Sequence, residues 1–185
     1  TTGRFSAPVE ALYPINVVTL SFSKGKKRYT FGLQRDIDEK SKEFLRSKNC
    51  EYVLCSSEAD LISKVMYCIG SNDVDILSGW NFGYDTVYMA TRIKKLNEGL
   101  PRSEQLSLDL MSRMRGHNKH AYLNKEDELV MNGTEVIDFL GLDKKYTFSE
   151  ESSYKLDYIG GKVVGQHKAP LPDGYQSWIN HWSDY

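Results

Sequence analysis

The chain has 185 residues, 40% of them hydrophobic and 12% aromatic, with a formal net charge of −1. That length and apolar share can bury one substantial core, so a single domain over 1–185 is expected. The neutral balance excludes a generally basic, nucleic-acid-coating protein but permits a local basic groove. No stretch approaches the roughly 20 apolar residues that span a bilayer, and the first residues lack a basic, apolar, small-residue leader, so a soluble intracellular protein without a membrane partner is expected. Cys50, Cys55 and Cys68 are odd in number and lack C-x-x-C spacing, which reads as reduced thiols packed in the core. His117 and His120 lack the Cys partners of a structural zinc site.

In chain order, residues 15–22 are rich in β-branched side chains and run into Ser23-Lys24-Gly25-Lys26, after which 28–33 resumes an apolar and aromatic pattern. That is a hairpin signature. The cluster Lys24, Lys26, Lys27 and Arg28 on its turn can touch a phosphate backbone, although solubility is the commoner use of such a run. Residues 36–46 suit a short charged helix and 52–55 a strand. Ser56-Ser57-Glu58-Ala59-Asp60 then supplies hydroxyl caps and early acids ahead of Leu61, Ile62, Val65, Met66 and Ile69 at helical spacing. A helix packed on a sheet follows from that. Residues 74–78 form an apolar strand, and 86–97 a second helix with Val87, Met89, Ala90, Ile93 and Leu96 on one side and Arg92, Lys94 and Lys95 outside. This alternation argues for an α/β sheet. Residues 106–110 and 129–137 read as extended on either side of a partly basic segment, which predicts an inserted β-hairpin over about 106–137. Helices are expected over 139–145 and 152–164, the second ending or breaking around Gly160-Gly161.

The most informative string is Gly79-Trp80-Asn81-Phe82-Gly83-Tyr84-Asp85, at the junction of the 74–78 strand and the following helix. It sets a carboxylate among the free N–H groups and positive dipole end of a helix start, where it stays ionised and can hold a divalent cation. Capping alone is the more frequent use of such an Asp.

An apolar strand, then Gly-aromatic-Asn, then aromatic-Asp-x-x-Tyr, resembles the second exonuclease motif of family B DNA polymerases of viral and phage type. The resemblance implies Asp85 as a catalytic metal ligand, Asn81 as the polar catalytic residue just before it, and Tyr84 in the aromatic slot. Three residues separate Asn81 from Asp85, one fewer than in most relatives. A second stretch agrees in order and spacing: Asp138-Phe139-Leu140, Lys144-Lys145-Tyr146-Thr147-Phe148 and Ser153-Tyr154-Lys155-Leu156-Asp157-Tyr158-Ile159 resemble the segment between that family's second and third motifs. Asp157, whose family counterpart is not a ligand, is expected to cap or to face solvent.

The implied fold is a ribonuclease H-like α/β domain, a mixed central sheet flanked by helices with the inserted hairpin. The implied reaction is proofreading 3′–5′ hydrolysis with two Mg2+ or Mn2+ ions, on the single-stranded 3′ end of DNA, in a chain that also carries the polymerase domain and works in the host cytoplasm if phage-derived. Phe5, Phe82, Tyr84, Arg113, Arg115 and Lys119 are the implied DNA contacts, aromatic for bases and cationic for phosphates. Phe82 and Tyr84 serve equally as core aromatics, and the basic segment as a solvated loop tip. The family's site needs four carboxylates, yet no Asp-x-Glu precedes Ile15, and the segment 178–185 resembles the approach to a third motif without its Asp. The first and third motifs are therefore expected outside the chain, with the isolated piece inactive. The alternative is a catalytically dead ribonuclease H-like module that binds nucleic acid or a partner protein.

Overall fold

The computed structural model describes residues 6–33, 37–118, 120–147 and 151–168. Phe5, Lys119 and the segment 178–185 lie outside them.

The expected hairpin is β1 (Val17–Ser21) and β2 (Arg28–Leu33), antiparallel with Thr19 opposite Thr30. Val18 and Leu20 turn inward and their neighbours outward, the alternation of a strand with one wet face. After α1 (Glu39–Ser47), β3 (Cys50–Cys55) returns parallel to β2, with Phe31 beside Val53. A parallel return needs a crossover, and α1 supplies it. Helix α2 (Glu58–Ser71) begins as its sequence demands: the Ser57 hydroxyl accepts from the Asp60 N–H at 3.1 Å, and the Asp60 carboxylate accepts from the Ser56 N–H at 2.9 Å. It buries Leu61, Ile62, Val65, Met66 and Ile69. Leu61, Ile62 and Met66 are almost completely enclosed, each contributing roughly 1.5–3 kcal/mol by leaving water.

The second sheet pairs β4 (Ile76–Gly79) in parallel with β7 (Glu135–Asp138), so that Gly79 lies beside Asp138. One hydrophobic cluster takes Val18 and Leu20 from β1, Leu77 from β4 and Val136 from β7 onto the same α2 residues. Helix α3 (Phe82–Asn97) follows β4 after a two-residue turn, and α4 (Phe139–Tyr146) follows β7 directly. The remaining helix, α5, is Leu156–Val164.

The region 106–137 departs from expectation. Its antiparallel pair is only β5 (Ala121–Leu123) and β6 (Leu129–Met131), and Glu135–Asp138 joins β4 instead. The segment expected to be extended at 106–110 contains a 3-10 turn, Leu108–Met111, whose Asp109 N–H is capped by the Ser107 hydroxyl at 3.2 Å. It folds that way because Met111 is drawn into the core against α2, at Gly70, where an added Cβ would come 2.3 Å from the Leu110 carbonyl oxygen. The last helix starts at Leu156 rather than 152. No described helix is long and apolar enough to cross a membrane. All three cysteines are free, Cys50 and Cys55 buried and Cys68 half-buried in α2.

Candidate active site

At or beyond the carboxyl ends of two neighbouring parallel strands, Asp138 closes β7 and caps α4, and Asp85 lies in the first turn of the helix that follows β4. Ligand sites in α/β sheets favour such ends. The junction after β4 is made by Asn81, whose φ of 57° puts it in the left-handed region. Asn tolerates that conformation better than other side chains, and a backbone held there is characteristic of functional turns. Its side chain is exposed and forms no cap to α3. Phe82 folds back on Gly79, where an added Cβ would lie 2.7 Å from its ring. The Trp80 indole N–H donates to the Tyr154 carbonyl at 3.1 Å, tying the segment before α5 to this corner. Lys144 stands 4.9 Å over the Tyr154 ring.

Asp85 sits in the first turn of α3. The free N–H groups and dipole there were expected to favour its charge, but the net effect runs the other way. Loss of hydration pushes its pKa above the ordinary carboxylate value even though the residue opens to solvent, and the negative charge of Asp138 adds to the shift. Asp138 is fixed by its own cap, accepting from the Leu140 N–H at 2.9 Å. Two carboxylates that repel each other are a pair a cation relieves. Yet among the described residues no group of three or more His, Cys, Asp or Glu is placed to hold a metal. Two divalent cations each want about six ligands, so this pair falls short of a two-metal site.

The remaining expected contacts are divided. Tyr84 is half-buried and stacks on Tyr88 at 5.9 Å, and its hydroxyl donates to the Ser6 carbonyl at 2.7 Å, so it anchors chain. Arg113 pairs with Asp73 and Asp75, which precede β4, so it lies at the opposite end of that strand from Asp85. Arg115 is exposed on the same loop. Asn81, Phe82, Tyr84 and Asp85 are thus gathered together and Arg113 is not.

Sequence reading missed a strap. Residues 6–15 run across α3 and are gripped by one of its faces: Tyr84 holds Ser6, Lys95 donates to the Glu10 carbonyl at 2.6 Å, Arg92 to the Ala11 carbonyl at 3.1 Å, and Tyr88 to the Tyr13 carbonyl at 2.8 Å. Glu58 of α2 closes the array. It accepts the Ile15 N–H at 2.8 Å and both Arg92 Nε and Nη2, at 2.7 and 2.5 Å, with 8% of its side chain exposed. The Tyr84, Tyr88, Arg92 and Lys95 spacing was the available signal, since those positions share a helix face. Asp138 ends an apolar strand, but no local string marks it as the string around Asp85 does.

A family model described as the exonuclease domain of DNA polymerase family B matches residues 5–159. The chain belongs to that family. It is 27% identical over 175 residues to the DNA-directed DNA polymerase of Escherichia phage RB69, an alignment covering 84% of this chain and 19% of that protein. The chain therefore spans about a fifth of the length of that relative.

Proposed function

We propose that this chain is the 3′–5′ proofreading exonuclease domain of a family B DNA-directed DNA polymerase, with a ribonuclease H-like fold and the β5–β6 pair within its inserted hairpin. The observation that carries the reading is Asp85 on its strand-turn-helix junction, beside Asp138, in a chain that matches the family's exonuclease domain. Asp85 is one of the carboxylates that hold Mg2+ or Mn2+, and when bound these ions supply charge neutralisation at the phosphoryl group under hydrolysis. The Asn81 amide orients the terminal nucleotide, and the Phe82 ring offers a face to a base of the single-stranded 3′ end. Arg115, and Phe5 and Lys119 outside the described residues, remain candidate DNA contacts.

The missing carboxylates come from the parent polymerase outside this chain, on a strand that pairs with the sheet. In support, β1 and β4 each lie at the edge of a described sheet while facing one common core. The 185-residue chain alone is then inactive. With Mg2+ or Mn2+ and an end-labelled single strand it should leave the label at full length, whereas a longer piece of the parent should degrade it and lose activity on Asp85→Ala. Degradation by the 185-residue chain that Asp85→Ala abolishes would refute the external ligands. Activity of the longer piece surviving that change would refute the role of Asp85.

A further inference from the structure

A concavity of about 490 Å3 opens where α1, the start of β3 and the β1–β2 turn meet, on elements other than those carrying Asp85. Lys27, Lys42, Arg46, Asn49, Glu51 and Tyr52 line it. Its lining therefore carries three cations against one carboxylate, in a chain whose total charge is −1. The volume lies within the range of small-molecule sites, roughly 300–1,000 Å3.

The walls are built rather than loosely solvated. Asn49 adopts φ 54°, and its side-chain amide donates to the carbonyls of Gly25 and Lys26 at 3.0 Å each, while the Arg28 N–H donates to the Asn49 carbonyl at 2.9 Å. The turn bearing Lys27 is thereby fastened to the start of β3. Lys42 and Arg46 lie one helical turn apart and share a face of α1. The Lys42 side chain is only 21% exposed, its stem lodged against the fold and its ammonium paired with Glu39 at 3.0 Å, so it reaches the concavity as half of an i,i+3 pair. Lys27 stands 3.3 Å from Glu51 and 4.5 Å over the Tyr29 ring. The one carboxylate of the lining is thus answered by Lys27. Among the described residues Arg46 has only a 4.0 Å approach to Glu39, which leaves its planar fork of donors open to an anion.

The geometry points to a phosphate-binding site, filled by a nucleic-acid backbone or by free phosphate, with Arg46 as the two-pronged donor and Lys42 and Lys27 as flanking charges. Guanidinium matches the geometry of phosphate oxygens, and ammonium groups add charge at low directional cost. The site goes beyond the hydrolytic reading, and Asp85 plays no part in it.

The test uses the 185-residue chain. Titration with inorganic phosphate, followed by NMR of the Arg46 Nε–H and the Asn49 amide, should give saturable shifts; binding of a labelled single strand is measured in parallel. Lys42→Glu with Arg46→Glu should weaken the single strand about ten-fold and lower the slope of log affinity against log salt by about two. Asp85→Ala should leave the phosphate-induced shifts of Arg46 and Asn49 unchanged, which separates this site from the proposed catalytic one. Phosphate shifts with unaltered single-strand affinity identify a free phosphate ligand, and both effects together identify a backbone. No shift in the unmutated chain, or displacement of phosphate by a polyglutamate peptide at the same concentration, overturns the proposal. An unchanged thermal unfolding transition of Lys42→Glu with Arg46→Glu guards against a misfolded double variant.

Discussion

Glu58→Ala removes the keystone of the strap. Glu58 is buried and its carboxylate satisfies three donors, Arg92 Nε, Arg92 Nη2 and the Ile15 N–H. Taking it away strands a guanidinium whose side chain is 13% exposed, and breaking a buried pair from one side costs roughly 3–5 kcal/mol. The orphaned Ile15 N–H alone would account for about 1–3 kcal/mol, and since the losses share one neighbourhood they do not add. Against a total stability of about 5–15 kcal/mol, the variant should unfold at markedly lower urea with an unchanged slope. The double change Glu58→Met with Arg92→Met removes both charges and should recover much of the loss, leaving mainly the Ile15 N–H unpaired, since Lys95 still reaches the Ala11 carbonyl at 3.4 Å. Urea titration of Glu58→Met, Arg92→Met and their double variant closes the cycle and gives the coupling energy. A single-variant cost below about 1 kcal/mol, typical of exposed pairs, or a double variant no better than the single, would refute the reasoning.

Other outcomes follow from the site and the packing. Because the pKa of Asp85 is raised on folding, its charge opposes the folded state above that pKa, and the penalty vanishes as pH falls below the unfolded value. Asp85→Asn should therefore raise the melting temperature at neutral pH, with the advantage shrinking in acid; an advantage independent of pH would contradict the shift. Gly70→Ala, favoured by helix propensity by about 1 kcal/mol, should instead destabilise by roughly 1–3 kcal/mol, because its Cβ meets the backbone oxygen of Leu110 at 2.3 Å; equal or higher stability in thermal unfolding would show that the turn yields freely. Asn81→Ala should cost about 1 kcal/mol through its left-handed backbone while Asn81→Gly costs little, and identical melting of the two variants would deny that the strain resides there.

What was legible in the sequence was whatever short-range pattern controls. The β1–β2 hairpin and the hydroxyl-capped start of α2 declare themselves in alternation and in Ser57-x-x-Asp60. Leu106-Ser107-Leu108-Asp109-Leu110 alternates as a strand does, but its partner is the face of α2 at Gly70, 40 residues back, and that contact bends it into a 3-10 turn. Asp85 stood out through a dense local string. Its neighbour Asp138 did not, because only the β4–β7 register places the two together. The strap was legible on one side alone: the donor face of α3 shows in its spacing, but what it grips are main-chain carbonyls, which every sequence possesses.

That strap also sets an order of events. Its rungs join residues 75 to 85 positions apart in the chain, whereas the β1–β2 hairpin closes a short loop. Loop-closure entropy must be met before such distant contacts return any energy, so the hairpin and α2 are expected to form before the strap docks. Mutations along it will chiefly hasten unfolding and leave the rate of folding nearly unchanged. The residues nearest the candidate active site's helix are thus the first to let go, and a protease should find residues 6–15 before it finds any other ordered segment.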